Sequence, residues 1–365
     1  MNGDSLISAA ADLGTRFRFA SLLPTALLAL YALALYWSGA PGRSPDVAQV
    51  IAHARHAAGW AGFLLALAIV VAALVAEPLQ VPLIRVLEGY WGESPPGQLI
   101  AAPGKAFQRW RRDRIDRRQR RREETRGPAA GSARQAAREQ AAREQAAREL
   151  RSYPPRAAIL PTRLGNVLRA AEHRAGSRYG LEATIAWPRL YPLLGDKLTG
   201  VLDDLRDQLD LAARFCVAFG LATVLSASCL AGHGWWLAVA GGTLLGAMLC
   251  YRAAVSAAAA YGEAIESAFD LHRFDLLKAL HLPLPANLAE ERTANQRLTL
   301  FLTQPAEYLT ALSADPAGTR NFTYQHEAAA SAGPRTAPGQ QVPRFWHVPS
   351  RRRPPTALPG EAATD

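Results

Sequence analysis

Lysine is nearly absent from this chain: 38 of its 41 basic residues are arginine, and only Lys105, Lys197 and Lys278 remain. Cysteine is scarce too. Cys216, Cys229 and Cys250 are odd in number, fall inside apolar blocks and lack CxxC spacing, which argues against a disulfide framework or structural zinc. The chain also lacks a nucleophile elbow, a phosphate loop, an HExxH helix, a dinucleotide fingerprint and a pair of acid–base carboxylates. A non-enzyme is therefore expected, with no catalytic, cofactor-binding or metal-ligating residues. Charge is missing from four long stretches, and this last absence says the most.

Residues 19–37 (FASLLPTALLALYALALYW) and 60–76 (WAGFLLALAIVVAALVA) carry no charge, and each approaches the ~20 residues that a spanning helix needs. Two further uncharged blocks run from Phe215 to Ala231 and from Trp235 to Tyr251. The connector Gly232-His233-Gly234 is too short to cross a bilayer, so the third and fourth spans are expected to form a tight hairpin, with Trp235 and Trp236 at the outer interface. The first apolar run is long, lacks Ala-x-Ala at its end and is soon followed by another, so it reads as a span rather than a signal peptide.

Arginine placement sets the orientation. Arg16 and Arg18 precede span one, Arg214 precedes span three and Arg252 follows span four, whereas the loop between the first two spans holds only Arg43 and Arg55. Both termini, 1–18 and 313–365, are expected in the cytoplasm. The first hairpin, 19–91, is read as ending in an interfacial exit helix kinked at Pro78 and Pro82 and anchored by Tyr90 and Trp91.

Residues 101–163 contain 18 basic and 7 acidic side chains, so the whole positive excess of a chain carrying +10 sits in this stretch. It includes RWRRDRIDRRQRRREETR at 109–126 and three tandem QAARE repeats at 135–149. A five-residue period advances about 140° per repeat on an α-helix and builds no fixed apolar stripe. Glu139 and Glu144 do precede Arg143 and Arg148 by four, the favourable order. A largely disordered linker over 92–156 is expected. Tethered near the inner leaflet, Arg109, Arg111, Arg112, Arg114, Arg117, Arg118, Arg120, Arg121 and Arg122 are the candidate contacts to anionic lipid. Nucleic acid is disfavoured because Trp110 is the one aromatic platform in the run.

Residues 157–210 have the aromatic, proline and glycine spacing of a folded helical unit. Its last part, with leucines at 198, 202, 205 and 209, leads without a proline into the second hairpin at 211–251. Span four likewise continues past Arg252 to Leu282, ~72 Å of helix against a core of roughly 30 Å, so a cytoplasmic stalk over 252–312 is predicted. Asn287 and Glu290 have capping-box spacing for one more helix ending near Thr303. The tail is expected to be disordered. The fold class is thus all-α: four transmembrane helices in two hairpins, a cytoplasmic helical stalk, and a disordered linker and tail.

The stretch PTRLGNVLRAAEHRAGSRYGLEATIAWPRL, with LEGYW at 87–91 and AYGEAIESAFDLHRFDLLKAL at 260–280, resembles actinobacterial integral membrane proteins without an assigned activity. The likeness covers about three-fifths of the chain and implies a bacterial inner-membrane location. In that group an acidic residue often stands at the position of His173, which argues against an essential role for this histidine.

Other candidates have ordinary readings. His173, beside Glu172, lacks companion ligands and reads as a surface or structural histidine. His272 falls on the apolar stripe of the stalk and reads as a core histidine. Asp203, Asp204, Asp207 and Asp210, and opposite them Glu263, Glu266 and Asp270, read as solvated helix faces rather than a cation site. Gly242 and Gly246 form a GxxxG surface for close helix packing, within the hairpin or between copies. Together these features point to a non-catalytic inner-membrane scaffold that docks an unidentified cytoplasmic protein or its own copies. The alternative is an oligomeric channel or transporter component with a pore lined by Thr223, Ser226 and Ser228.

Overall fold

A computed structural model describes residues 22–40, 42–56, 59–91, 95–124 and 133–303. The N-terminal segment, the start of span one, the Gly-Pro break after Glu124 and the tail lie outside the described residues. Among the described residues the chain is helical, without strands: α1 (Leu22–Trp37), α2 (Val47–His56), α3 (Trp60–Glu88), α4 (Pro95–Glu124), α5 (Ala133–Arg151), α6 (Arg163–Arg174), α7 (Ala183–Leu190), α8 (Asp196–Leu230), α9 (Leu237–Ala279) and α10 (Leu288–Thr303). Two of these, α8 and α9 with the preceding turn from Gly234, are long and apolar enough to cross a membrane; α1 and part of α3 are shorter apolar helices.

Helices α8 and α9 pack along their length and organise everything else. Along their apolar ends the buried positions are small: Ala222 and Ser226 on α8, Ala240 and Ala247 on α9. Small side chains let the two backbones approach, and Thr223 Oγ1 meets Thr243 Oγ1 at 3.1 Å across the seam. Helix α3 lies against α8, and Tyr31 of α1 joins Ser226 of α8 by a hydrogen bond of 2.5 Å.

Toward their polar ends the same two helices build a different core. Leu202 of α8 and Ala268, Phe269, Leu276 and Leu277 of α9 bury themselves with Leu181, Ala186 and Leu190 around α7 and Leu298 of α10. A second cluster joins Leu164 and Val167 of α6 to Leu209, Ala254 and Ala258. The segment that begins α10 is capped as its spacing predicts. Glu290 N–H donates to Asn287 Oδ1 at 2.9 Å, while Glu290 Oε2 accepts from Ala286 N–H at 2.9 Å.

Two expectations need correction. The exit segment is not a separate helix: α3 runs unbroken from Trp60 to Glu88 because residues 77–88 simply continue its turns. In place of a largely disordered linker stand α4 and α5, packed on each other. Their Arg, Gln, Glu and Ala are strong helix formers, and the pairs Glu139–Arg143 and Glu144–Arg148 form at 3.8 Å. Just beyond α5, Tyr153 Oη donates to the buried Gln108 Oε1 of α4 at 3.1 Å, and Arg156 pairs with Asp113. The missing apolar stripe was the wrong criterion, since a few end contacts suffice to fix helices that local propensity already favours.

Candidate functional site

Where α3 ends, three distant stretches of sequence interlock. Gly89 adopts φ +91 and terminates α3, as an L side chain rarely does. Thr162, the N-cap of α6, accepts from Gly165 N–H at 3.1 Å and donates to Glu88 O at 2.8 Å. A Cβ on Gly165 would collide with that same Glu88 carbonyl oxygen. Tyr251 of α9 offers its hydroxyl to Arg163 N–H at 3.1 Å and Leu164 N–H at 3.2 Å. Asn166, fully buried, accepts from Leu160 N–H at 2.8 Å and donates to Leu160 O and Thr162 O at 2.9 and 2.7 Å. Every polar group named here has a partner, so this junction is a fixed joint. Burial pushes the Glu88 carboxyl above the usual carboxylate range, with Asp210 and Glu172 adding repulsion. Asp210 is raised by burial as well, against the pull of Arg206 and Arg214.

Beside the joint, α6, α7 and α10 enclose an open cleft of about 720 Å³. Its polar lining includes Arg169, Glu172, His173, Ser177, Glu182 and Thr184, over Leu181 and Leu300. Arg169 pairs with Glu172 at 3.1 Å, Thr184 donates to Glu182 at 3.0 Å, and the Ser177 hydroxyl donates to Arg174 O at 3.0 Å. The lining therefore offers hydrogen-bonding side chains on an apolar floor. The wall formed by α10 is held in place by a latch. Arg273 bonds Glu291, only 5 % exposed, at 2.8 Å and covers the Tyr179 ring, and Asn295 donates to Tyr179 O at 2.9 Å.

The remaining predicted residues fall as follows. His173 is exposed and lines the cleft. His272 does not enter the core; it faces Asp275 at 3.0 Å because the α9 stripe turns past it to Phe269 and Leu276. The carboxylates of α8 and α9 do not converge: Asp203 accepts from Tyr191 at 2.6 Å, Asp270 from Tyr179 at 2.8 Å, and Glu266 pairs with Arg174 at 2.7 Å. Among the described residues no group of three or more metal-ligating side chains stands together.

The GxxxG surface divides. Gly246 packs on the Phe219 ring, where a Cβ would stand 2.9 Å from it, whereas a Cβ on Gly242 would meet nothing within 4 Å. Thr223, Ser226 and Ser228 each donate to a carbonyl one turn back, at 2.8, 2.6 and 2.8 Å.

The nine candidate lipid-contact arginines, 109–122, lie on α4. Arg111 and Arg112 are partly buried, while Arg109, Arg114, Arg117, Arg118, Arg120 and Arg121 are exposed. Arg120 pairs with Asp116 at 3.1 Å, and Arg114 stands over the Trp110 ring at 5.1 Å. The helix also exposes a patch missed in the sequence, Leu99, Ile100, Phe107 and Trp110, at 76, 64, 54 and 49 %. The signal was present as recurrence at three- and four-residue steps, but the patch occupies only the first half of the helix.

The class defined here is an all-helical protein with two helices long and apolar enough to span a bilayer. No protein family, curated protein or solved structure matches the chain.

Proposed function

We propose that this chain is a multi-pass protein of the bacterial inner membrane. In this reading α1 with α3, and α8 with α9, cross as two hairpins and both termini face the cytoplasm. The cytoplasmic helices form a non-catalytic scaffold that docks a protein partner or further copies of the chain. The observation that carries the reading is the belt of large apolar side chains turned outward on all four helices: Leu27 and Leu30, Phe63 and Val70, Val224, Leu245 and Leu249 are each 46–69 % exposed. So wide an apolar exterior is unfavourable in water and ordinary in lipid. Arg214 and Arg252 border the apolar portions of α8 and α9 on one side and the exposed Trp235 on the other, which supports the orientation. Self-association through the outward Gly242 belongs to this reading, as does contact of the α4 arginines with anionic lipid of the inner leaflet.

Topology is tested by single cysteines in intact cells. A membrane-impermeant maleimide should label His233→Cys and leave Arg189→Cys unlabelled until the cells are opened; the reverse pattern sinks the orientation. Scaffold and channel separate in liposomes containing the purified chain. An ion gradient that holds supports the scaffold, and a sustained leak replaces it with the channel reading.

A further inference from the structure

From Leu99 onward, steps of three or four residues along α4 reach Pro103, Phe107, Trp110, Arg114, Arg117 and Arg121, which places them on one face. Ile100 and Arg118 border the same face. All of these positions are exposed, while the opposite face is covered: Ala101 and Gln108 are 4 and 6 % exposed, and Gly104 packs on Pro161. The arm thus completes its own packing on the inner face and leaves the outer one over. That outer face is apolar and aromatic for its first half and arginine for its second, with no acidic residue at those positions. Asp113 and Asp116 are engaged on the flank, Asp113 with Arg112 and Arg156 and Asp116 with Arg120, while the exposed Glu124, one step beyond Arg121, ends the face.

We propose that α4 is an in-plane anchor whose outer face lies in the headgroup layer of an anionic bilayer, its apolar half buried and its arginine half against lipid phosphates. Charge decides the occupant. A second copy laid antiparallel sets arginines on apolar residues, and one laid parallel sets arginines on arginines; neither is complementary. A bilayer containing acidic lipid offers hydrocarbon and phosphate in adjacent layers, as an interfacial helix requires. Trp110, with Arg114 over its ring, stands at the step between the two halves. The tether is short, since α4 starts at Pro95 soon after Trp91 at the end of α3. This inference rests on the membrane reading above and adds a surface-bound element to its spanning ones.

The test uses the full chain, with Cys216, Cys229 and Cys250 replaced by alanine, in nanodiscs of phosphatidylcholine with and without phosphatidylglycerol. A bimane label is placed at Phe107→Cys on the outer face, Ile115→Cys on the inner face or Val224→Cys in α8, and brominated lipid is the quencher. With phosphatidylglycerol, the label at 107 should be quenched and the one at 115 spared. Quenching at 107 should be lost at high salt or in R114Q/R117Q/R118Q/R121Q, with quenching at 224 unchanged. If 224 is quenched and 107 is not, the anchor is overturned and the membrane reading stands. Failure at both positions overturns both. Equal quenching at 107 in pure phosphatidylcholine and in the glutamine variant overturns the role of the arginines. Disulfide linkage of two copies through Phe107→Cys, with no quenching, assigns the face to self-association instead.

Discussion

Helix α9 is one unbroken element with two opposite patterns. Toward its beginning it buries Ala240 and Ala247 and exposes Leu244, Leu245, Met248 and Leu249; toward its end it buries Phe269, Leu276 and Leu277 and exposes Glu263 and Asp270. The second pattern is that of a helix driven onto a core by removal of apolar surface from water. In the first pattern large side chains gain nothing by turning inward, and the seam selects residues that let backbones approach. On the membrane reading proposed above, one helix meets two solvents, and the change falls near Tyr251 and Arg252. There Tyr251 turns to cap α6, and the fixed joint with α3 begins.

The same substitution in the two halves gives the largest contrast. Leu276→Ala, at a site 1 % exposed, should cost about 2–5 kcal/mol, read as a lowered midpoint of thermal unfolding in nanodiscs. A cost near zero would mean that the polar half is not a packed core. Next comes the joint itself. Gly165→Ala drives a methyl into the Glu88 carbonyl, a clash of backbone with side chain that costs about 1–3 kcal/mol. Because it strikes where the halves meet, limited proteolysis should open the chain between α3 and α6 before α8 and α9 separate. Cleavage unchanged from the parent protein would show that the joint is not what holds the halves together.

A smaller effect follows from charge at the joint. The folded-state pKa values of Glu88 and Asp210 are both raised, chiefly by burial. A raised carboxylate keeps its proton when folded at a pH where the unfolded chain has lost it, so stability falls as pH rises from the ordinary carboxylate pKa through the raised one. Mild acidification within that window should raise the unfolding midpoint. Asp210→Asn should raise it at neutral pH and flatten the dependence, by less than the ~1 kcal/mol of an ordinary hydrogen bond. A midpoint that falls on acidification across the window would refute this account.

How much of this was legible depended on whether the signal was local. The two long helices, the Asn287–Glu290 cap and the Glu139–Arg143 pair were readable because each is written in neighbouring residues. The joint was not, since it links Glu88 to Thr162 through a backbone oxygen 74 positions away, which no periodicity marks. The outer face of α4 was overlooked for another reason. Its apolar and basic residues follow one another along one face, whereas the usual amphipathic pattern sets them on opposite faces.

The smallest expected effect is the most diagnostic. Leu249→Ala removes the same atoms as Leu276→Ala from the same helix, at a site 56 % exposed and turned away from α8. In a bilayer its neighbours are acyl chains as apolar as leucine itself, so no cavity opens and little transfer energy is lost. The midpoint in nanodiscs should move by no more than the ~0.5 kcal/mol typical of surface changes. A loss comparable to that of Leu276→Ala would mean that Leu249 is covered by protein. Cross-linking at that position would then tell whether a second copy of the chain supplies the cover. An unchanged midpoint leaves the α9 contrast as drawn, with a core on one side of Tyr251 and lipid on the other.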